Sequence, residues 1–341
     1  MVSASVKDVA ALAGVSVGTV SNVLNRPEKV SAEVTLRVHS AIDKLGFVRN
    51  DAARQLRAGM SHSIGLVVLD AANPFFSDLA RGAEDRASAE NLTVLVGNSN
   101  EDDGRESAYL DLFEQQRVRG VLLSPVGNVI PRLEQLRRRG IPTVLVDRQT
   151  ENLSFSSVAV DDLAGGEMAA AHLLSLGRRR IAFVGGPASI RQVADRLAGA
   201  RKAIDAVAGA TLEVIATESL TVLSGRAAGE SIRSRPEAER PEAIFAANDL
   251  LAIGVLQGLM LMGGVKVPQE IALIGYDDIE FAAAAVVPLS SIRQPSALIG
   301  STALELLLRE AASEDGFEPT QVVFPPELIV RASTQGQSTQ G

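Results

Sequence analysis

The chain has 341 residues, 46% of them hydrophobic and 22% charged, with 33 Lys and Arg against 41 Asp and Glu for a net charge of −8, and it contains no Cys. That length exceeds one compact core and points to two or three domains; no apolar run reaches the roughly 18 residues of a membrane span, and the lack of Cys excludes disulfides and thiolate metal sites. Residues 1–60 hold 8 Lys and Arg against 5 Asp and Glu, a net of +3 that leaves −11 on the remainder, and a cationic head on an anionic body suits a head that meets a polyanion.

The opening "MVSASVKDVA" lacks the basic start and apolar core of a secretory signal, so the cytoplasm is the expected location. In "SVKDVAALA", Val6, Val9, Ala10 and Ala13 fall at i, i+3, i+4 and i+7, and Ser5 and Asp8 have capping-box spacing, which predicts a first helix. "GVS" ends it, with Gly14 suited to a left-handed turn. A second helix, "VGTVSNVLN", follows Ser16 as its cap and turns Val20, Val23 and Leu24 inward. A third, from a Ser31 cap to Gly46, is expected to bury Val34, Val38, Ala41, Ile42 and Leu45. Two helices joined by a three-residue turn containing Gly form a helix-turn-helix, whose second helix enters the DNA major groove. Its outward Val17, Gly18, Thr19, Ser21 and Asn22 are short or uncharged, so Asn can pair with adenine, Val can touch a thymine methyl, and Thr and Ser can bond phosphates. The same pattern also fits a small helical domain with a polar face.

"NDAARQLRAG", Asn50 to Gly59, has a capping Asn and a terminating Gly around about two turns, with Leu56 its one large apolar side chain among Ala52, Ala53, Arg54 and Arg57. A helix this short is marginal in water, and this one has no apolar stripe with which to dock on a core.

From "SIGLVVLD" onward the pattern alternates. Strand-like runs "TVLVGN", "GVLLSPV", "PTVLVDR", "RIAFVGG", "AIFAAND" and "IALIGYDD" are separated by helical stretches such as 76–90, 105–116, 161–176, 192–207 and 250–262. Near-continuous apolar strands between helices imply parallel sheets covered on both faces, and about ten such units favour two doubly wound lobes. The tail "STQGQSTQG" is polar and expected to be disordered.

Ligands of open α/β sheets bind beyond the carboxyl ends of the strands. There the chain places Asp70 to Asn73 with Phe75 and Phe76, then Asp147 and Arg148, Asn248 and Asp249, and Asp277 and Asp278. Carboxylates, an amide, an Arg fork and an aromatic face together suit a polyhydroxyl ligand. Asn248, Asp249 and Asp277 are equally suited to capping helices, Arg148 and Arg196 to surface ion pairs, and one ring of the Phe pair is expected in the core. Catalysis has no constellation to rest on: His39, His62 and His172 are scattered, with no metal-ligand spacing or nucleophile nearby. "VGGPASIRQ" lacks both the phosphate-loop and the dinucleotide signatures. A metabolic enzyme with an accessory helical head, or a sugar-binding module alone, stands as the alternative.

These residues resemble the lactose-repressor family of bacterial transcription regulators over nearly the whole chain. "VKDVAALAGVSVGTVSNVLNRPEKVS" resembles that family's helix-turn-helix and "LGFVRNDAARQLRAG" its hinge, while "GLVVLDAANPFF", "VDR", "GRRRIAFVGGP", "DRLAGA", "AANDLLAIG", "ALIGYDD" and "SSIRQP" recur in order through its body. The resemblance implies a helix-turn-helix domain over 1–49, a hinge helix and linker over 50–62, and a two-lobed body like the periplasmic sugar-binding proteins over 63–331. Lobe 1 would span about 63–160 and 292–322, lobe 2 about 161–291 and 323–331, and a polar tail 332–341. It implies a homodimeric repressor, not an enzyme, with no cofactor or metal, contacting a palindromic operator through Ser16, Val17, Gly18, Thr19, Ser21, Asn22 and Asn25. Ala53, Arg54, Leu56 and Arg57 would form the hinge contact, with Leu56 wedged in the minor groove. Phe75, Phe76, Asp147, Arg148, Arg196, Asn248, Asp277 and Gln294 would hold the effector. "IPTVLVDRQ" and "IRQP" look most like the ribose-binding branch and suggest a monosaccharide, a pentose or deoxyhexose, acting as inducer.

Overall fold

The computed structural model describes residues 4–47, 61–150, 153–261, 264–313 and 317–335, so the four hinge residues Ala53, Arg54, Leu56 and Arg57 lie outside the described residues. The chain divides into two compact units, 1–60 and 61–341.

In the first unit, α1 (Val6–Ala13), α2 (Val17–Asn25) and α3 (Ala32–Leu45) follow one another. The capping box at the start of α1 is formed: the Ser5 N–H and hydroxyl each donate to Asp8 at 2.7 Å, and the Asp8 N–H donates back to the Ser5 hydroxyl. Gly14 stops α1 at φ +64° and Gly46 stops α3 at φ +57°, a region open to Gly at no steric cost. Val9, Ala10, Ala13, Val20, Val23, Val38 and Ala41 make the core. Two expectations fail here. The Ser31 side chain makes no capping bond, and Leu45, in the last turn of α3, is exposed.

The second unit contains two six-stranded sheets of one design. The first is ordered β11-β5-β4-β3-β1-β2, from β1 (Ser63–Val68), β2 (Thr93–Asn98), β3 (Val121–Leu123), β4 (Thr143–Val146), β5 (Ser157–Val160) and β11 (Gln321–Phe324), and it is parallel throughout. The second is ordered β12-β10-β9-β8-β6-β7, from β6 (Arg180–Gly185), β7 (Thr211–Ala216), β8 (Ala243–Ala246), β9 (Ala272–Asp277), β10 (Ser290–Arg293) and β12 (Glu327–Ile329), with only β12 antiparallel to its neighbour. The central strands are buried on both faces, as continuous apolar runs require in a covered parallel sheet.

The helices between the strands are α4 (Pro74–Ser88), α5 (Asp103–Gln115), α6 (Ile130–Arg138), α7 (Asp162–Ser175), α8 (Arg191–Asp205), α9 (Val222–Ser234), α10 (Asp249–Met260), α11 (Glu280–Ala283) and α12 (Ser296–Ala312). The chain crosses between the lobes three times: after β5, after β10 and after β11. Because β10 belongs wholly to the second sheet and α12 packs on α4 and β4, the second crossing falls beyond Arg293 rather than at 292, and β11 keeps the first lobe through Phe324 rather than 322. α7 and α8 meet at glycine: a Cβ on Gly166 would lie 2.0 Å from the Arg196 carbonyl oxygen, and one on Gly199 2.0 Å from that of Leu163. That contact fixes α8 against α7.

The expected disordered tail is corrected at its start. Ser333 and Thr334 are buried; the Ser333 hydroxyl donates to the Leu273 carbonyl and accepts the Ser290 N–H, while Thr334 shares hydrogen bonds with Ser290 and His172.

Candidate functional site

The exposed side of α2 carries Val17, Gly18 and Asn22, with Thr19 and Ser21 partly covered. Val17 is 46% exposed, a large fraction for an apolar side chain, and a Cβ on Gly18 would meet only the Ser16 hydroxyl, at 3.6 Å. The helix therefore offers a face on which another surface can lie close to the backbone. Ser16 caps the helix: its Oγ accepts the Thr19 N–H at 3.0 Å and pairs with the Thr19 hydroxyl at 2.9 Å. Both hydroxyls, expected as DNA contacts, thus serve the helix start as well. Asn25 is the last residue of α2.

In the second unit a narrow cleft with about 30 Å³ of free cavity lies between the carboxyl ends of the two sheets, the place where open α/β sheets bind their ligands. The loop after β1 brings Asp70 and Asn73, and the first turn of α4 Phe75 and Phe76; the end of β4 brings Asp147, α8 brings Gln192 and Arg196, and the ends of β8, β9 and β10 bring Asn248, Asp277 and Gln294. Seven of the eight effector residues expected from the sequence therefore meet in one place. Both rings of the Phe pair are buried, at 3% and 6% exposure, packed edge to face 5.0 Å apart, where only one was expected in the core, and both line the cleft. Asn248 both lines the cleft and caps α10, its Oδ1 accepting the Leu251 N–H.

Arg148 is the exception. It points away from Asp147 into an adjacent groove, where its Nη1 donates over 3.4 Å to the Gly127 carbonyl. Both residues lie beyond the end of β4, where the left-handed backbone of Asp147 turns the chain and sends the two side chains apart.

Two hydrogen-bonded bridges span the lobes. Asn73 donates to Asp277 Oδ2 at 3.0 Å, and Gln294, in the crossover, donates to its Oδ1 at 2.8 Å. On the other side the Gln192 amide donates to both the Asp147 carboxylate, at 2.9 Å, and the Asp147 carbonyl, at 2.6 Å. Asp147 and Asp277 sit at φ +55° and +105°, a rare backbone state for a residue with a side chain, of the sort that clusters at ligand sites.

Arg196 anchors the floor, 4% exposed. Its Nε donates to Asp162 at 2.7 Å and its Nη1 to the Ala247 carbonyl at 2.8 Å; Nη1 lies 3.8 Å from Asp277, and its guanidinium carbon is 3.7 Å above the Tyr276 ring. Burial works against that charge, but Asp162, Tyr276, Asp277 and Asp147 more than offset it, so its pKa is raised. Burial also raises the pKa values of Asp147, Asp162 and Asp277, and most strongly that of Asp147, which faces the other carboxylates as well. Asp147 Oδ1 and Gln294 Oε1 are buried acceptors with no partner among the described residues.

Sequence reasoning missed Gln192, Asp162 and Tyr276. A Gln or Tyr among apolar residues carries no signal of its own, and Asp162 reads as an ordinary acidic residue of a first helical turn. Asn73 stood in the Asp70–Asn73 cluster without being singled out. Among the described residues no group of three or more His, Cys, Asp or Glu could hold a metal, and no helix is long and apolar enough to cross a membrane.

Comparison with known proteins agrees with both units. Residues 5–50 match the family described as bacterial regulatory proteins, lacI family, and residues 170–334 a periplasmic binding protein-like domain. The ribose operon repressor of Escherichia coli (strain K12) is 34% identical over 335 residues, covering 97% of this chain and 99% of that protein. A lac repressor dimer solved on operator with the anti-inducer ONPF is 26% identical with a TM-score of 0.80, covering 98% of this chain and 99% of the other. A LacI family transcriptional regulator from Enterococcus faecium with bound ribose is 29% identical with a TM-score of 0.71, over 80% of this chain and 98% of that one. A helix-turn-helix head, a polar cleft between two doubly wound lobes and relatives matching over nearly the whole chain thus lead to one conclusion: the chain belongs to the lacI family of bacterial regulatory proteins and is a DNA-binding transcriptional regulator, not an enzyme.

Proposed function

We propose that this regulator is a cytoplasmic homodimeric repressor of sugar-catabolism genes, released from a palindromic operator by an uncharged monosaccharide of pentose size. The observation that carries the effector class is the balance of charge in the cleft. Asp147, Asp162 and Asp277 surround the single guanidinium of Arg196, and two buried acceptors there lack donors. Sugar hydroxyls supply donors to such acceptors and bring no charge, whereas a phosphate would add negative charge to a site already rich in it. The Phe75 and Phe76 rings add an apolar wall for a sugar's C–H face. The names of the relatives, a ribose operon repressor and a regulator with bound ribose, favour a pentose.

At the operator, Val17, Gly18, Ser21 and Asn22 read the major groove, Ser16, Thr19 and Asn25 hold its edge, and the hinge folds on DNA. Leu56 then wedges into the minor groove, Ala53 allows close approach, and Arg54 and Arg57 meet phosphates. Sugar binding shifts the lobes, alters the spacing of the two hinges in the dimer and disfavours their folding. Linkage makes the effect reciprocal, with about 1–3 kcal/mol of coupling, or roughly 5- to 150-fold in operator affinity.

A thermal-shift screen of the full chain against pentoses, hexoses, deoxysugars and nucleobases tests the reading. A ligand at 100 times its Kd adds about 2.7 kcal/mol of apparent stability. The expected hit is a free pentose whose shift disappears in Asp277→Asn and which releases operator in an anisotropy assay. A shift given only by a nucleobase, or one insensitive to Asp277→Asn, overturns the effector assignment.

A further inference from the structure

We propose that the groove behind the Asp147–Gln192 bridge is a second ligand site, which takes the phosphate or carboxylate of a small metabolite and is coupled to the cleft through lobe closure. The groove has a free volume of about 320 Å³, and Asn128, Arg148, Gln149, Thr150, Arg191 and Asp195 are among the residues that line it. Asp147 and Gln192 face the cleft, and the next or preceding residue of each, Arg148 or Arg191, faces the groove. The bridge is therefore a shared wall. Arg148 follows β4 of the first lobe and Arg191 begins α8 of the second, so the groove, like the cleft, has one side on each lobe.

The two spaces differ in charge. The cleft is lined by Asp70, Glu101, Asp147 and Asp277 against Arg196, the groove by Arg148 and Arg191 against Asp195. Asp195 engages Arg191 through Nε, at 2.9 and 3.0 Å. Arg148 has less. It is half-buried, its one side-chain bond among the described residues is the long contact to Gly127, and Glu106, which also acts on it, is committed to the Val126 N–H at 2.8 Å. Burial and the charge of Arg191 both lower its pKa. A guanidinium has five donors, and these two on opposite lobes, Arg148 half-buried and Arg191 with 55% of its side chain exposed, repel one another when the lobes close. An anion between them removes that repulsion and accepts bidentate bonds. The start of α8, whose N-cap Ile190 offers no side-chain acceptor, adds to the positive field.

Occupancy of the groove then favours the same closed arrangement that grips the sugar, so anion and sugar bind with positive linkage. The sugar arm of the test rests on the effector class proposed above; the anion arm does not. D-ribose is titrated calorimetrically into the full chain in potassium chloride and in potassium phosphate at matched ionic strength, with potassium acetate as a third arm that separates carboxylate from phosphate. Inorganic phosphate, acetate, or both should lower the ribose Kd by about fivefold or more, and ribose should lower the anion's Kd by the same factor. Arg191→Gln should leave the ribose Kd in chloride unchanged and abolish the anion effect, and Arg148→Gln should abolish it too. Neither anion acting beyond chloride, or an effect that persists in Arg191→Gln, overturns the proposal. Phosphate binding that depends on Arg191 in a protein that gives no heat with ribose would support the groove and refute the sugar assignment.

Discussion

Removing the buried guanidinium of Arg196 isolates the electrostatics of the cleft. In Arg196→Leu the Asp162 carboxylate loses its 2.7 Å partner, Asp277 loses a cation 3.8 Å away, and the Tyr276 ring loses the charge stacked 3.7 Å above it. Breaking a buried ion pair by deleting one member costs about 3–5 kcal/mol, because a charge is left behind without compensation. For a unit of this size that is a fall in Tm of roughly 6–10 °C. The loss should depend on pH with a definite sign. The carboxyls of Asp147, Asp162 and Asp277 already have raised pKa values in the folded state, and without Arg196 they rise further, so the folded variant binds more protons than the unfolded chain. Stability then falls as pH rises through that window and recovers on acidification. Urea unfolding followed by far-UV circular dichroism at pH 5 and pH 7.5 measures both effects. A loss under about 1 kcal/mol at neutral pH, or one of equal size at both pH values, would refute the account of Arg196 as the countercharge of this cluster.

Other perturbations report on other parts of the chain. Gly199→Ala places a methyl 2.0 Å from the Leu163 carbonyl oxygen and 2.7 Å from the Glu167 nitrogen, so the urea midpoint should fall by the equivalent of about 1–3 kcal/mol of overpacking. Ser16→Ala removes the acceptor of the Thr19 N–H; the stability of the helix-turn-helix unit should fall by about 0.5–2 kcal/mol through loss of the cap in urea unfolding, with sugar affinity unchanged in calorimetry. Deleting residues 333–341 strips the partner hydroxyls from Ser290, His172 and the Leu273 carbonyl, so a melting curve should show destabilisation by about 1–3 kcal/mol from buried polar groups left unpaired, rather than the silence expected of a disordered tail.

What could be read from the sequence was mostly what is decided locally. The Ser5–Asp8 box and the left-handed glycines at 14 and 46 are determined within four residues, and the burial of the parallel strands follows from their unbroken apolar runs. Asp147, Asn248 and Asp277 could be found because charged and amide side chains at strand ends are conspicuous. Gln192 could not, since a Gln on a helix reads as surface until the fold brings it to a carboxylate 45 residues away. Arg148 was misread for a local reason, the left-handed turn at Asp147 just past β4 that sends the two side chains to different spaces. Ser333 and Thr334 were misread for a distant one: their partners are Ser290, Leu273 and His172, 43 to 162 residues earlier.

The two sheets have the same strand order, and the glycine contacts repeat with it. Gly82 in α4 stands where Gly199 stands in α8, and Gly300 in α12 where Gly166 stands in α7; a Cβ on Gly82 or Gly300 would come within 2.0 Å of a carbonyl oxygen of the facing helix. In each lobe the helix after the first strand therefore packs on a helix delivered by the last long strand of the opposite lobe. Each half thus depends on elements that the chain delivers from the other, so neither is a complete module. A chain cut near residue 161 would leave the first lobe without α12 and β11 and the second without the β5 lead-in to α7. Evolution can thus vary the ligand by changing loop tips at the cleft, but it cannot shuffle one lobe between regulators without carrying the other along.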